Sequence, residues 1–185
     1  MSTLTFHNIG PFDLPLERRK RVSRELRSLS SLLGTEFWSG VKKEAEKANI
    51  HALEKREGIY IFGLRNQNKE RPFYVGKAGR VKLGKEPFTA SKITKYEDAL
   101  ADNRGTPFMY FCIMRSRQGK FNEKILAQAE RFLIEKAFAV NPDKLLNNHH
   151  AKEQKWSIPG LVRSSGRGRL SSSSLGLREM LGEGS

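Results

Sequence analysis

The sequence predicts an α/β domain flanked by a helical N-terminal extension and a basic C-terminal tail. Three observations carry this prediction. Two short runs at 58–64 and 72–77 are rich in β-branched and aromatic residues and are bounded by Gly, Asn, Lys and Pro, as strands are. A third apolar run at 107–115 predicts a largely buried strand. The segment 121–139 then has apolar residues at helical spacing.

Length and charge indicate the organisation of the chain and its class of partner. A chain of 185 residues is long enough for one domain with a core, but short for two full domains. The 34 Lys and Arg residues exceed the 20 Asp and Glu residues, and the formal net charge of +14 favours a polyanionic partner, with nucleic acid first. We expect the extension at 1–55, the domain at 56–150 and a disordered Gly/Ser/Arg-rich tail at 151–185.

Cysteine content and hydropathy exclude several classes of protein. The single cysteine, Cys112, rules out an internal disulfide and a cysteine-built zinc site, and its apolar neighbours predict a buried thiol. The N-terminus lacks a signal-peptide pattern, and no apolar run reaches the ~18 residues of a membrane span. We therefore expect a cytoplasmic protein without a membrane partner.

The N-terminal extension is predicted to contain two helices. Residues 1–12 show little periodicity and predict a loosely attached lead-in. Apolar residues at 14–33 recur at helical spacing and predict a first helix. Its six basic and two acidic residues at 16–27 make it either a solvated surface or an arm that contacts phosphates. A second helix is predicted at about 36–49.

Each of the first two strands of the domain carries one tyrosine. Alternation along the strands places Tyr60 and Tyr74 on one face of the pair when the register is even. After a loop, a helix is predicted at about 92–101. Lys92 and Tyr96 lie four residues apart on it and therefore project from the same face.

Glu130 is the outstanding acidic residue of the predicted last helix. It falls among the apolar positions rather than on the charged side, where a carboxylate is costly unless it finds a partner. A hard oxygen ligand suits Mg²⁺ or Mn²⁺, so Glu130 is the candidate metal ligand. The alternative is a buried salt bridge, for which Glu135 would serve equally well.

The order of these features resembles the GIY-YIG nuclease family. The matching motifs are Gly58-Ile59-Tyr60, Tyr74-Val75-Gly76-Lys77, a helix bearing a cation, Glu130 in the pattern Glu-x-x-Leu-Ile, and Asn147. The resemblance covers 56–149, about half of the chain. It implies a three-stranded antiparallel sheet flanked by helices, and a metal-dependent endonuclease that hydrolyses phosphodiester bonds in DNA with one divalent ion, Mg²⁺ or Mn²⁺. Repair or restriction-like defence are the implied settings.

The resemblance also implies roles for the residues of the hairpin. Tyr60 would position or deprotonate the attacking water, and Lys77 is the cation expected to lower a phenol pKa of ~10 for that purpose. Tyr74 would hydrogen-bond the phosphate or the water. Gly76 would let the backbone approach the phosphate, and Glu130 would bind the metal.

Two features depart from the family pattern. The 13 residues between the two tyrosines are slightly more than is usual. On the following helix the family generally has an arginine and, four residues later, a histidine or tyrosine, whereas this chain has Lys92 and Tyr96. Lysine lacks the bidentate fork of arginine, so Arg80 is a candidate substitute.

The resemblance implies that Asn147 would anchor the site by hydrogen bonding, and Asn148 is the alternative residue for this role.

Basic residues concentrate around this hairpin. Nine Lys and Arg against two Asp and Glu at 65–95 give a local balance of +7, half of the net charge of the chain. The candidates for substrate contact are Gly76, Arg80, Lys82 and Lys95. Clustering of this kind suits phosphate contact but does not distinguish DNA from RNA, or cutting from binding. The alternatives to an endonuclease are a catalytically weakened or inactive nucleic-acid-binding module on the same fold and a structural partner protein.

Overall fold

The computed structural model describes residues 5–21, 24–29, 36–67, 69–115 and 122–147, with the single positions Ser173 and Met180. Apart from those two positions, the predicted tail and Asn148 lie outside the described residues. The elements in chain order are β1 (Thr5–Asp13), β2 (Leu16–Arg21), β3 (Arg24–Leu29), α1 (Glu36–Lys47), a 3₁₀ turn (Leu53–Lys55), β4 (Gly58–Asn66), β5 (Lys69–Ala78), a second 3₁₀ turn (Glu86–Phe88), α2 (Ala90–Asp102), β6 (Thr106–Arg115) and α3 (Glu123–Val140).

Four strands form one antiparallel sheet in the order β1, β6, β4, β5. The predicted succession of strand, strand, helix, strand, helix is confirmed by β4, β5, α2, β6 and α3. A sheet of three strands was expected, and the structure adds β1 as a fourth strand beside β6. Strands β2 and β3 form a separate two-stranded sheet.

The N-terminal region differs most from the prediction. The predicted lead-in is strand β1, and the helix predicted at 14–33 is replaced by the hairpin of β2 and β3. β1 pairs with β6, which lies far away in sequence. Because a strand partner so distant cannot be recognised from a short stretch of sequence, the local pattern did not predict this strand. The register of β1 also shifts between Ile9 and Phe12, which breaks the alternation that marks a strand. The second predicted helix is confirmed as α1.

The sheet has a hydrophobic cluster on each side. Tyr60 and Phe62 pack with residues of α1 and α2, whereas Ile59 packs with residues of α3. This arrangement confirms the predicted alternation along β4. Cys112 is buried on the α3 side, as predicted, and burial raises the pKa of its thiol to about 11.

The turn after α3 runs along the outer edge of β5. Asn141 Nδ2 donates to the carbonyl oxygen of Pro72 at 2.9 Å, and the amide of Leu146 donates to that of Phe73 at 2.8 Å. Backbone groups of an edge strand otherwise lack partners, so these bonds hold the turn against the sheet. No helix in the described part of the chain is long and apolar enough to cross a membrane.

Candidate active site at the edge of strand β5

Tyr60 and Tyr74 lie on the same face of the β4–β5 hairpin, as alternation predicts. Tyr60 is opposite Gly76 and Tyr74 is opposite Phe62, so the two tyrosines are diagonal neighbours. Their ring centroids are 6.1 Å apart, with an angle of 22° between the ring planes. Both side chains are buried. The hairpin therefore brings the two phenols of the predicted motif together.

Gly76 makes the position of the Tyr60 ring possible. A Cβ atom at Gly76 would lie 2.5 Å from both Cζ and the hydroxyl oxygen of Tyr60, and 2.9 Å from Cε1 of Tyr74. The face of Gly76 is thus occupied by a phenol rather than open to a phosphate. This corrects the predicted reason for a glycine at this position: its missing side chain admits Tyr60 to the edge strand.

Helix α2 brings two lysines and a third tyrosine to this face. Lys92 Nζ donates to the hydroxyl oxygen of Tyr74 at 2.7 Å. Lys95 Nζ lies 5.4 Å from the centroid of the same ring. The ring of Tyr96 meets that of Tyr74 edge to face, with centroids 6.0 Å apart, and stacks on Phe62 at 4.2 Å. Two ammonium groups and three phenols therefore converge on the α2 side of the sheet.

The hydroxyl groups of Tyr60 and Tyr96 are buried and have no hydrogen-bond partner among the described residues. Burial raises the pKa of Tyr60 far above its ordinary value, and electrostatic interactions with Tyr96, Tyr74, Glu86 and Glu130 raise it further. Burial likewise raises the pKa of Tyr96, with added contributions from Tyr74 and Glu86. Both side chains are neutral phenols at neutral pH, which are donors of hydrogen bonds rather than bases.

Lys77 does not activate Tyr60 as predicted. Alternation places Lys77 on the other face of β5, with Val75, and its ammonium lies 3.6 Å from Oε2 of Glu130. Lys77 is accordingly not among the groups that shift the pKa of Tyr60, which is raised rather than lowered. The physical reason is the strand period of two, which separates adjacent residues onto opposite faces of the sheet.

Glu130 is half-buried on α3, with 22% of its side chain exposed, whereas Glu135 is exposed. Its contact with Lys77 is the salt bridge that the sequence left open as an alternative to metal binding. The negative charge of Glu130 also raises the pKa of Tyr60, as the smallest contribution after burial, Tyr96, Tyr74 and Glu86.

One carboxylate limits the kind of metal that this region can hold. The described residues contain no group of three His, Cys, Asp or Glu side chains placed to bind a metal ion. Among these residues Glu130 is therefore not part of an all-protein cage. A single carboxylate can hold Mg²⁺ or Mn²⁺ where the ion keeps water ligands and also binds substrate phosphates.

Asn147 anchors the turn after α3 to the edge strand. Its Oδ1 accepts from the amide of Val75 at 3.3 Å, and its Nδ2 donates to the carbonyl oxygen of the same residue. The side chain is buried, and Val75 directly precedes Gly76, the residue opposite Tyr60. Asn147 therefore holds the backbone of the edge strand beside Gly76 by hydrogen bonding.

The remaining candidates for substrate contact have different surroundings. Lys82 forms a salt bridge with Glu57 at 2.5 Å, so part of its charge is compensated. Arg80 is exposed in the loop that follows β5. Lys95, on α2, lies beside the ring of Tyr74. Of the two candidates for the missing arginine, Lys92 is the one in contact with Tyr74.

The structure thus divides the predicted site into three groups. On the α2 side lie the three phenols and two lysines, Tyr60, Tyr74, Tyr96, Lys92 and Lys95. On the α3 side lies the ion pair of Lys77 and Glu130. The third group belongs to the edge strand itself and consists of Gly76 and of Asn147, which is bonded to Val75. Glu86 was missed: its charge raises the pKa of two buried phenols from the short turn before α2. Its position directly before Pro87 carried no pattern that would have revealed this.

Comparison of the chain with protein-family models, with curated proteins and with solved structures finds no match.

Proposed function

We propose that this protein is a metal-dependent endonuclease of the GIY-YIG type that hydrolyses phosphodiester bonds in DNA. The observation that carries the proposal is the contact between Lys92 and Tyr74, 2.7 Å from ammonium to hydroxyl, in a group of three phenols beside the edge of β5. Phosphodiester hydrolysis requires stabilisation of extra negative charge on the phosphorus oxygens. Ammonium groups and phenol hydroxyls gathered beside one strand edge supply the kind of donors that this task needs.

Two lysines can replace the arginine of the family. A single ammonium is a point charge and lacks the paired donors of a guanidinium. Here Lys92 and Lys95 both lie at Tyr74, so two positive charges flank one phenol. We assign Lys92 to the phosphate charge through Tyr74, with Lys95 adding to the positive potential. This removes the need for Arg80 in that role.

Tyr60 is assigned the role of hydrogen-bond donor rather than general base. Its pKa is raised, so the hydroxyl carries its proton at neutral pH and can donate to a water or a phosphate oxygen. A phenol oxygen buried without a described partner costs about 1–3 kcal/mol. A phenylalanine of the same shape would avoid that cost, which supports a functional reason for tyrosine here.

Glu130 is the residue that would hold Mg²⁺ or Mn²⁺. A bound ion of this kind supplies Lewis-acid stabilisation of the phosphate charge. Glu130 is half-buried beside Lys77, so a metal bound there would compete with that ammonium for the carboxylate. Lys77 would then be a cation available to a phosphate at this edge of the sheet.

Plasmid nicking with Mg²⁺ or Mn²⁺ tests this assignment. We expect the wild type to nick supercoiled, branched or damaged DNA, and Glu130→Ala to be at least about 100-fold slower. Glu135→Ala is the matched control, because Glu135 is an exposed glutamate of the same helix. Equal nicking by the wild type and Glu130→Ala would contradict the proposal.

A nucleic-acid-binding module without catalysis is the second candidate function. The observation in its favour is the complete burial of Tyr60, whose hydroxyl must become accessible before it can contact a substrate. Salt-sensitive DNA binding that persists in Glu130→Ala, with no cleavage in Mg²⁺ or Mn²⁺, would favour this function. Binding of RNA in preference to DNA of the same length would identify the substrate class instead as RNA.

A further inference from the structure

A groove of about 380 Å³ lies at the far end of the β4–β5 hairpin, away from Gly76. Its floor contains Leu64 and Phe73, which are both buried in the cluster on the α2 side of the sheet. The groove therefore opens on the same side of the sheet as the three phenols. Its polar lining residues are Asn66, Gln67, Lys69, Arg71, Asp102, Asn103, Arg104 and Lys144.

The groove has a strong positive balance. Four cationic side chains line it against one carboxylate, Asp102, which gives a local balance of +3. The cations come from β5, from the turn between α2 and β6, and from the turn after α3. Asn103 Nδ2 donates to the carbonyl oxygen of Ala99 at 2.8 Å, and Asn103 Oδ1 accepts from Lys144. One wall of the groove is therefore fixed by contacts between two separate elements.

Two elements connect the groove to the candidate active site, and both give the same separation. Along β5, five residues separate Arg71 from Gly76, or roughly 17 Å at about 3.4 Å per residue. Along α2, 11 residues separate Lys92 from Asn103, also roughly 17 Å at about 1.5 Å per residue. This distance is about half a turn of B-form DNA.

We propose that this groove is a second contact for the sugar-phosphate backbone of the DNA duplex whose scissile phosphate lies at the edge of β5. The proposal rests on the proposed function. A duplex laid along β5 and α2 meets positive charge at both ends of the pair, from the cations of the groove at one end and from Lys92 and Lys95 at the other. Cations in the groove contact phosphates, and the side-chain amides of Asn66 and Gln67 add hydrogen-bond donors at the same place.

The test replaces exposed cations of the groove. Arg71→Ala/Arg104→Ala removes two positive charges, and Lys43→Ala/Lys124→Ala removes two exposed lysines from α1 and α3 as the matched control. Binding of a labelled duplex of about 20 bp is measured by fluorescence anisotropy between about 50 and 200 mM salt. Each lost phosphate contact reduces the slope of log K against log salt by about 0.9, so we expect a reduction of about 1.8 for the groove variant and little change for the control.

A competition arm separates a backbone contact from a site for a small phosphate compound. A nucleoside monophosphate or inorganic tripolyphosphate that displaces the duplex at micromolar concentration, and loses this ability in the groove variant, would show a small-ligand site and overturn the proposal. An unchanged slope in the groove variant would also overturn it.

Cleavage assays on the same variants keep the two proposals distinguishable. If the wild type cuts DNA and the groove variant binds and cuts like the control, only the groove assignment fails. If no variant cuts, but the groove variant has the reduced slope, the nuclease assignment fails and the groove assignment stands.

Discussion

The substitution Tyr60→Phe separates the stability of the fold from the function of the site. It removes one oxygen and leaves the ring, which packs over Gly76 and against Tyr74. If the hydroxyl is present for function, the variant should be more stable than the wild type and less active. A substitution that raises stability while lowering activity is unusual at a buried residue, because most core substitutions destabilise a protein.

The expected magnitude follows from the surroundings of the hydroxyl. The oxygen is buried and has no partner among the described residues, which costs about 1–3 kcal/mol. The small space left by its removal offsets part of that gain. We expect the free energy of unfolding to rise by about 1 kcal/mol. Tyr74→Phe should lower it by about 1 kcal/mol, because that hydroxyl accepts a hydrogen bond from Lys92.

Urea denaturation of the three proteins measures these differences. With a slope of about 2 kcal/mol per molar urea, the midpoint should rise by about 0.5 M for Tyr60→Phe and fall by a similar amount for Tyr74→Phe. Tyr110→Phe is a further control, because Tyr110 donates to Glu70 near the surface. If Tyr60→Phe is destabilised as much as Tyr74→Phe, the Tyr60 hydroxyl has a stabilising partner and the functional argument for it is refuted.

The other predictions concern the same region. Gly76→Ala should destabilise the fold by about 1–3 kcal/mol in thermal unfolding, since its Cβ would lie 2.5 Å from Tyr60; unchanged stability would contradict the close approach. Asn147→Ala should cost about 2–4 kcal/mol by leaving both backbone groups of Val75 unpaired, and near-neutral behaviour in urea would contradict that anchor. Above pH ~10 the unfolded chain loses phenol protons that Tyr60 and Tyr96 retain in the folded protein. The free energy of unfolding should therefore fall by up to about 1.4 kcal/mol per pH unit for each of the two residues. Phenylalanine at either position should remove the contribution of that residue to this dependence on pH.

Elements with local signals were predictable from the sequence. The strands at Tyr60 and Tyr74, the helix of Lys92 and the helix of Glu130 each have a period that a short window contains. The same period fixed which face each side chain takes, so the contact of the two tyrosines followed from alternation and an even register. Strand β1 was not predictable in this way, because its partner is distant in sequence and its own alternation is interrupted.

Within the candidate site, residue identity was easier to predict than environment. Burial decides the protonation of Tyr60, and burial depends on the packing of α1 and α2 over the sheet rather than on neighbouring letters. Lys77 follows Gly76 directly, which placed it near Tyr60 in the sequence, but the strand period directs its side chain to Glu130 on the other face. The contact of Lys92 with Tyr74 depends on how α2 lies over β5, which no local pattern reports.

A double-mutant cycle tests whether Tyr60 and Glu130 serve one site from two faces of the sheet. The rate of single-turnover cleavage of an end-labelled duplex is measured for the wild type, Tyr60→Phe, Glu130→Ala and the double variant. We expect Tyr60→Phe to slow cleavage by at least about tenfold and Glu130→Ala by at least about 100-fold, and the double variant to be little slower than Glu130→Ala. Cleavage at the wild-type rate by either single variant would contradict the claim.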